Sequence, residues 1–184
     1  MHIEVFHCAC LVAGNPMSRP LAGQFPANRF QKGFNVYKRI MVAIDDSSTA
    51  NKALKEAAQL ATSVGAALCI VHAEDESLLE HSAISSGTLI NVGKVEADIR
   101  EGGMQLLNGA VAHVAQHGIT AEKRLIESSS KRIPEMITEC AKDWEADLVI
   151  VGTHGRRGLE RLLVGSVAEK LVRVANTSLM LVRE

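Results

Sequence analysis

At 184 residues, 47% apolar and 22% charged, the chain is long enough for one well-buried domain and short for two. A formal charge of -1 argues against a general electrostatic affinity for nucleic acids or anionic membranes, which require a concentrated basic face, so any phosphate site must be local. No apolar run reaches the ~18 to 20 residues of a membrane span. With Cys69 in an apolar strand and Cys140 on an apolar helix stripe, the expectation is a soluble, cytoplasmic protein with reduced thiols.

Residues 1–35 hold all four phenylalanines (Phe6, Phe25, Phe30, Phe34) and three of the four prolines, with no periodicity. They lack the basic start and unbroken apolar core of a secretory signal. They are also poor in serine for a transit peptide, although Arg19, Arg29 and Lys32 stand against one acid, Glu4. They are expected to be a leader outside the domain, translated only on paper: Val36 fits a GTG start codon, and Lys32-Gly33 a purine-rich ribosome-binding site upstream of it.

From Tyr37 two periods alternate. KRIMVAID (38–45) is a short β-branched strand, and residues 47–65 repeat apolar positions at Ala53, Leu54, Ala57, Leu60, Ala61 and Val64 before stopping at Gly65, which is a helix. AALCIVHAED (66–75) is a second strand. Residues 76–93 lack periodicity and are long for a connection, a property of functional or mobile segments. Lys94 to His117 is a helix with Val95, Ile99, Leu106, Ala110 and Val114 on one face, weakened in its middle by Gly102-Gly103. A weaker strand (120–129) follows, then a helix with Pro134 near its start and Ile133, Met136, Ile137, Cys140, Ala141 and Trp144 at helical spacing. ADLVIVG (146–152) is the fourth strand, SVAEKLVRVA (166–175) a helix and TSLMLVR (177–183) the fifth strand. Five strands alternating with four helices imply a mostly parallel sheet covered on both faces.

After the fourth strand comes GTHGRRGLERLLVGS (152–166), with glycines where neither strand nor helix favours them. Glycine there implies positive φ or close approach of something to the backbone. Phosphate is one such partner, held by successive N–H groups and the positive end of a helix. Ser166 with Glu169 fits the S-x-x-E capping pattern, and N–H groups at Gly165, Ser166 and Val167 would face the site. Arg156 and Arg157 would add charge at the rim, and His154 a switchable donor. A plain strand-to-helix turn explains one such loop equally well. Neither G-x-x-x-x-G-K-(S/T) nor G-x-G-x-x-G after the first strand is present; the chain reads DDSS at the latter place.

The spacing Gly152, Gly155, Gly165-Ser166 matches G-x2-G-x9-G-(S/T), and with YKRIMVAIDDSS and CIVHAED it makes residues 37–184 resemble the universal stress protein family. The resemblance implies a doubly wound, adenine nucleotide alpha hydrolase-like α/β fold: a five-stranded parallel sheet of order 3-2-1-4-5 with helices on both faces. The ligand then sits beyond the carboxyl ends of strands one and four. It also implies ATP or a related adenine nucleotide, with Mg2+ or Mn2+ as its counter-ion. Adenine and ribose would lie near Ala43, Asp45 and Ala73, and phosphates near Gly152, Thr153, His154, Gly155, Arg156, Gly165, Ser166 and Val167. Asp46 stands where many relatives have glycine, placing a negative charge near the pocket. The last strand lacks the proline many relatives carry at its start, and its apolar edge is the expected homodimer contact.

Other candidates read more plainly. Asp45 and Asp46 suit helix initiation better than acid/base work. His113 and His117 lie one turn apart without the glutamate of H-E-x-x-H and suit a solvated face. His72 reads as a hydrogen-bonded core or sheet-end residue. His2, His7, Cys8 and Cys10 lack a second pair at metal-ligand spacing. No nucleophile with its base is visible, so no catalytic residue and no metal ligand is assigned. The expected role is a stress-responsive, nucleotide-binding regulator or protective factor, at most a slow ATPase. The rivals are a nucleotide-free dimeric interaction module and an adenylating or electron-transfer enzyme of related fold.

Overall fold

The computed structural model describes residues 36–75, 92–128, 130–153 and 165–183. In chain order these form β1 (Arg39–Ala43), α1 (Ser48–Val64), β2 (Ala67–Asp75), α2 (Val92–Ala115), β3 (Ala121–Ser128), α3 (Ile133–Asp143), β4 (Leu148–Gly152), α4 (Ser166–Val174) and β5 (Ser178–Val182). The strands make one all-parallel sheet, β3-β2-β1-β4-β5. This is the doubly wound order expected from the resemblance.

After Arg39 the central strand is apolar at every ladder position because both of its faces are covered. Ile40, Met41 and Val42 are fully buried. Ile40 and Val42 pack with α1 and α2 residues such as Ala53, Ala57 and Leu107, and Met41 packs with Ile137, Ala141 and Leu171 of α3 and α4. Removing one such side chain from water is worth about 1.5 to 3 kcal/mol.

Three differences from the sequence reading have local causes. β1 ends at Ala43, so Asp45 lies in the following turn. α2 runs from Val92 to Ala115, and its innermost side chain is Leu107, with Leu106 only partly buried. Its packing stripe is Gly103, Leu107, Ala110 and Val114, because a Cβ on Gly103 would come 2.6 Å from Glu74 Oε1 and 2.8 Å from Leu125 Cδ1. The glycine read as a weak point is where the helix approaches the sheet. Trp144 is the C-cap of α3 and not a helical residue.

At the amino end of the sheet, Asp147 Oδ2 and Oδ1 accept the Lys38 and Arg39 amides at 2.7 and 3.1 Å. The Arg39 guanidinium stacks 4.1 Å from the Trp144 ring centroid and its Nε donates to the Trp144 carbonyl at 2.6 Å. Trp144 Nε1 donates to Glu122 at 3.0 Å. These contacts close the end of the domain opposite the strands' carboxyl edge.

Candidate functional site

β1 and β4 are neighbours whose following helices diverge to opposite faces: α1 packs on one side and α4 on the other. Such a divergence is where doubly wound sheets place a ligand crevice, at the carboxyl edge. Ala43 aligns with Val71 of β2 and Val151 of β4, so Gly152 lies beside the chain leaving β1. Ala43, Ala73 and Val167 are half-buried on the α3/α4 face. The Val167 side chain joins that core.

The turn after β1 is held by its own side chains. Asp45 Oδ1 accepts the Ser47 amide at 3.0 Å and the Ser47 hydroxyl at 2.5 Å. Ser47 Oγ accepts the Ala50 amide at 3.1 Å and caps α1. Asp45 is thus an initiator of α1, as its place before Ser47-Ser48 suggests, and Asp46 is exposed.

On the β4 side the glycines separate by cause. A Cβ on Gly152 would lie 2.8 Å from Thr49 Oγ1 and 3.0 Å from the Thr49 carbonyl carbon. Close packing of α1 accounts for this glycine, and Thr49, buried to 1% exposure, is the residue that sequence reasoning missed. Its only local signal was a threonine in the first turn of a helix, and its burial is set by the approach of β4. Thr153 is also buried; its amide donates to the Val182 carbonyl at 2.8 Å.

Gly165 is the N-cap of α4 with φ -60° and ψ 152°, an extended conformation open to any residue. Its amide donates to the Thr153 carbonyl at 2.7 Å. Two expectations are corrected. Gly165 has no positive φ, and its N–H is engaged within the fold and does not face a ligand. Ser166 is the first helical residue and makes no side-chain cap, so the S-x-x-E box does not form; Glu169 pairs with Arg173 at 2.7 Å instead. The amides of Ser166, Val167 and Ala168 have no intrahelical acceptor, because the first helical bond runs from Glu169 to the Gly165 carbonyl. His154, Gly155 and Arg156, with Arg157, lie outside the described residues, as do 76–91 and the leader with His2, His7, Cys8 and Cys10.

The remaining candidates keep structural roles. His72 is 3% exposed; its Nδ1 meets the Ile44 carbonyl at 2.7 Å and its Nε2 meets Glu74 at 3.2 Å. The rings of His113 and His117 meet edge-on, 5.5 Å apart. Among the described residues no group of three or more His, Cys, Asp or Glu is arranged to hold a metal, and no helix is long and apolar enough to cross a membrane. Burial, followed by the nearby Cys140, pushes the Cys69 thiol up to about 12; burial raises Cys140 too, against the lowering effect of Arg124.

The universal stress protein family model matches residues 36–183. Universal stress protein A homolog 1 of Coxiella burnetii is 31% identical over 153 residues, which cover 79% of this chain and 96% of that protein. Among solved structures, a universal stress protein family member from Burkholderia pseudomallei is 28% identical with a TM-score of 0.63, covering 81% of this chain and 97% of that one. The universal stress protein from Archaeoglobus fulgidus in complex with dAMP has the same fold at 24% identity and a TM-score of 0.56, covering 80% of this chain and 98% of that one. With its sheet order and this match over nearly all the described residues, the chain belongs to the universal stress protein family.

Proposed function

We propose that this protein binds ATP or a related adenine nucleotide at the carboxyl-edge crevice and acts as a stress-responsive regulator or protective factor. The observation that carries the reading is the start of α4. Its Ser166, Val167 and Ala168 amides open at the end of β4, and the Gly165 to Thr153 bond holds the helix there. Such a terminus favours negative charge. The dAMP complex of the Archaeoglobus fulgidus protein supports the ligand class through a shared fold.

In this reading Ala43, Asp45 and Ala73 border adenine and ribose. Phosphates meet Gly152, Thr153, His154, Gly155, Arg156, Ser166 and Val167, with Gly165 holding the cradle's shape. Mg2+ or Mn2+ would accompany the phosphates, and the exposed Asp46 carboxylate would help to hold it. Binding is the chemistry, with slow hydrolysis its only enzymatic extension. Residues 36–184 form the working domain, which pairs as a homodimer through β5. The free thiols among the described residues, Cys69 and Cys140, support a cytoplasmic setting.

Ser166→Pro tests the cradle. Proline suits the first helical position, where no intrahelical bond is lost, and the Gly165 ψ of 152° accepts a following proline. The substitution deletes one N–H and leaves α4 intact. Calorimetry is expected to give about 10-fold weaker ATP binding, the weight of one charge-assisted hydrogen bond, at an unchanged melting temperature. Ser166→Ala, which keeps the N–H, should bind nearly as wild type. Equal affinity for wild type and Ser166→Pro would remove the amide from the site.

A further inference from the structure

Ile44 attaches the turn that carries Asp45 to β2. The Ile44 amide donates to the Val71 carbonyl at 2.9 Å, and the Ile44 carbonyl meets His72 Nδ1 at 2.7 Å. Both backbone groups of Ile44 are thus tied to β2, one position past the end of the β1 ladder. A carbonyl can only accept, so Nδ1 carries the proton in this contact. Nε2 on the other side of the ring faces Glu74 Oε1 at 3.2 Å. The pair is enclosed: His72 is 3% and Glu74 11% exposed. Gly103 of α2 lies over it, and a Cβ there would come 2.6 Å from Glu74 Oε1 and 3.1 Å from His72 Cδ2.

His72 lies on the α1/α2 face of β2, since its neighbours Val71 and Ala73 pack on the α3/α4 face. It therefore does not share the face on which Ala43 and Ala73 border the crevice. Its effect on that crevice runs through the backbone. From Ile44 the chain enters the Asp45 turn, where Asp45 Oδ1 holds the Ser47 amide and hydroxyl and Ser47 caps α1.

We propose that His72, oriented by Glu74 and given room by Gly103, is a positioning residue of the crevice: its bond to the Ile44 carbonyl sets the Ala43–Ser47 turn that presents Asp45. The proposal rests on the nucleotide reading for its functional consequence and stands on the hydrogen bonds above for its mechanism. It makes the geometry of the ligand side depend on a polar pair buried on the far face of the sheet.

Two amide replacements separate positioning from mere packing. In His72→Asn the side-chain amide reaches the place of Nδ1 and still donates to Ile44. In His72→Gln it reaches the place of Nε2, opposite Glu74, and leaves the Ile44 carbonyl without its side-chain donor. Both bury an amide in place of an imidazole, and Asn, the smaller, leaves the larger gap, so a packing role predicts an effect in His72→Asn equal to or greater than that in His72→Gln. The proposal predicts that hydrogen exchange at the Ser47 amide quickens by about 10-fold in His72→Gln, the weight of one lost hydrogen bond. In His72→Asn it stays near the wild-type rate. ATP affinity measured by calorimetry should follow the same split. An effect on exchange and affinity in His72→Asn equal to or greater than that in His72→Gln would overturn the proposal. If neither folds, Glu74→Leu, which removes the group that orients the ring, carries the same readout: faster Ser47 exchange supports the proposal and an unchanged rate overturns it. The exchange measurement needs no nucleotide. A wild-type protein that fails to bind ATP would sink the nucleotide reading, while exchange still decides whether His72 sets the turn.

Discussion

A methyl group added at Gly152 would press on the Thr49 side chain at 2.8 Å and on its backbone at 3.0 Å. The side chain has little freedom to give way, because Thr49 is buried and its Oγ1 lies 3.2 Å from Ser47 Oγ. Gly152→Ala is therefore expected to destabilise the fold by about 1 to 3 kcal/mol, the usual range for overpacking, read as a lower melting temperature without nucleotide. A melting temperature equal to wild type would return this glycine to the ligand. The same residue marks how far the sequence could be read. A glycine after a buried strand signals close approach of something, but local spacing does not say whether the partner is a phosphate or a helix. At 152 the partner in the structure is Thr49 of α1. At 165 it is the Thr153 carbonyl, reached by an N–H that any residue but proline would supply.

Two serines stand at helix starts, and only one is a cap. Ser47 Oγ accepts the Ala50 amide at 3.1 Å with the N-cap in an extended conformation; Ser166 is already helical and caps nothing. Ser47→Ala should cost about 0.5 to 2 kcal/mol, whereas Ser166→Ala should leave stability within a few tenths, as a surface substitution does. Comparing the two denaturant midpoints checks this, and equal losses would contradict the assignment of the caps. The elements themselves were legible because burial on both faces imposes unmistakable periods: β1 is apolar from Ile40 to Ala43, and α1 repeats Ala53, Ala57 and Ala61 against the sheet. What spacing could not reveal were the decisions made by distant partners. The Thr153 carbonyl sets where α4 begins, and Glu74 with Leu125 sets which turn of α2 comes closest, moving the innermost leucine from 106 to 107.

For the molecule as a whole the open question is its second edge. β5 pairs only with β4 among the described residues, and Leu179, Met180 and Leu181 are half-buried. The Val182 carbonyl accepts the Thr153 amide and so points inward. Because backbone groups alternate along a strand, those of Leu179 and Leu181 point to the open edge, where a second chain can pair with them. Leu181→Pro should thus remove an outward donor without breaking a bond to β4. Light scattering at micromolar concentration is expected to find a dimer for wild type and a folded monomer for Leu181→Pro. A monomeric wild type, with or without ATP, would dismiss pairing through β5.

Trp144 is the only tryptophan in the chain, and it is held under Arg39 at the end of the sheet opposite the crevice. Its emission is consequently an optical label for one end of the protein alone. Buried to 2% exposure, the indole should glow blue-shifted in the native state and redden when the chain unfolds. A purine entering at the carboxyl edge is too remote to quench it by stacking. Intrinsic fluorescence is thus a clean thermometer of folding for every variant above and a blind instrument for titrating the ligand.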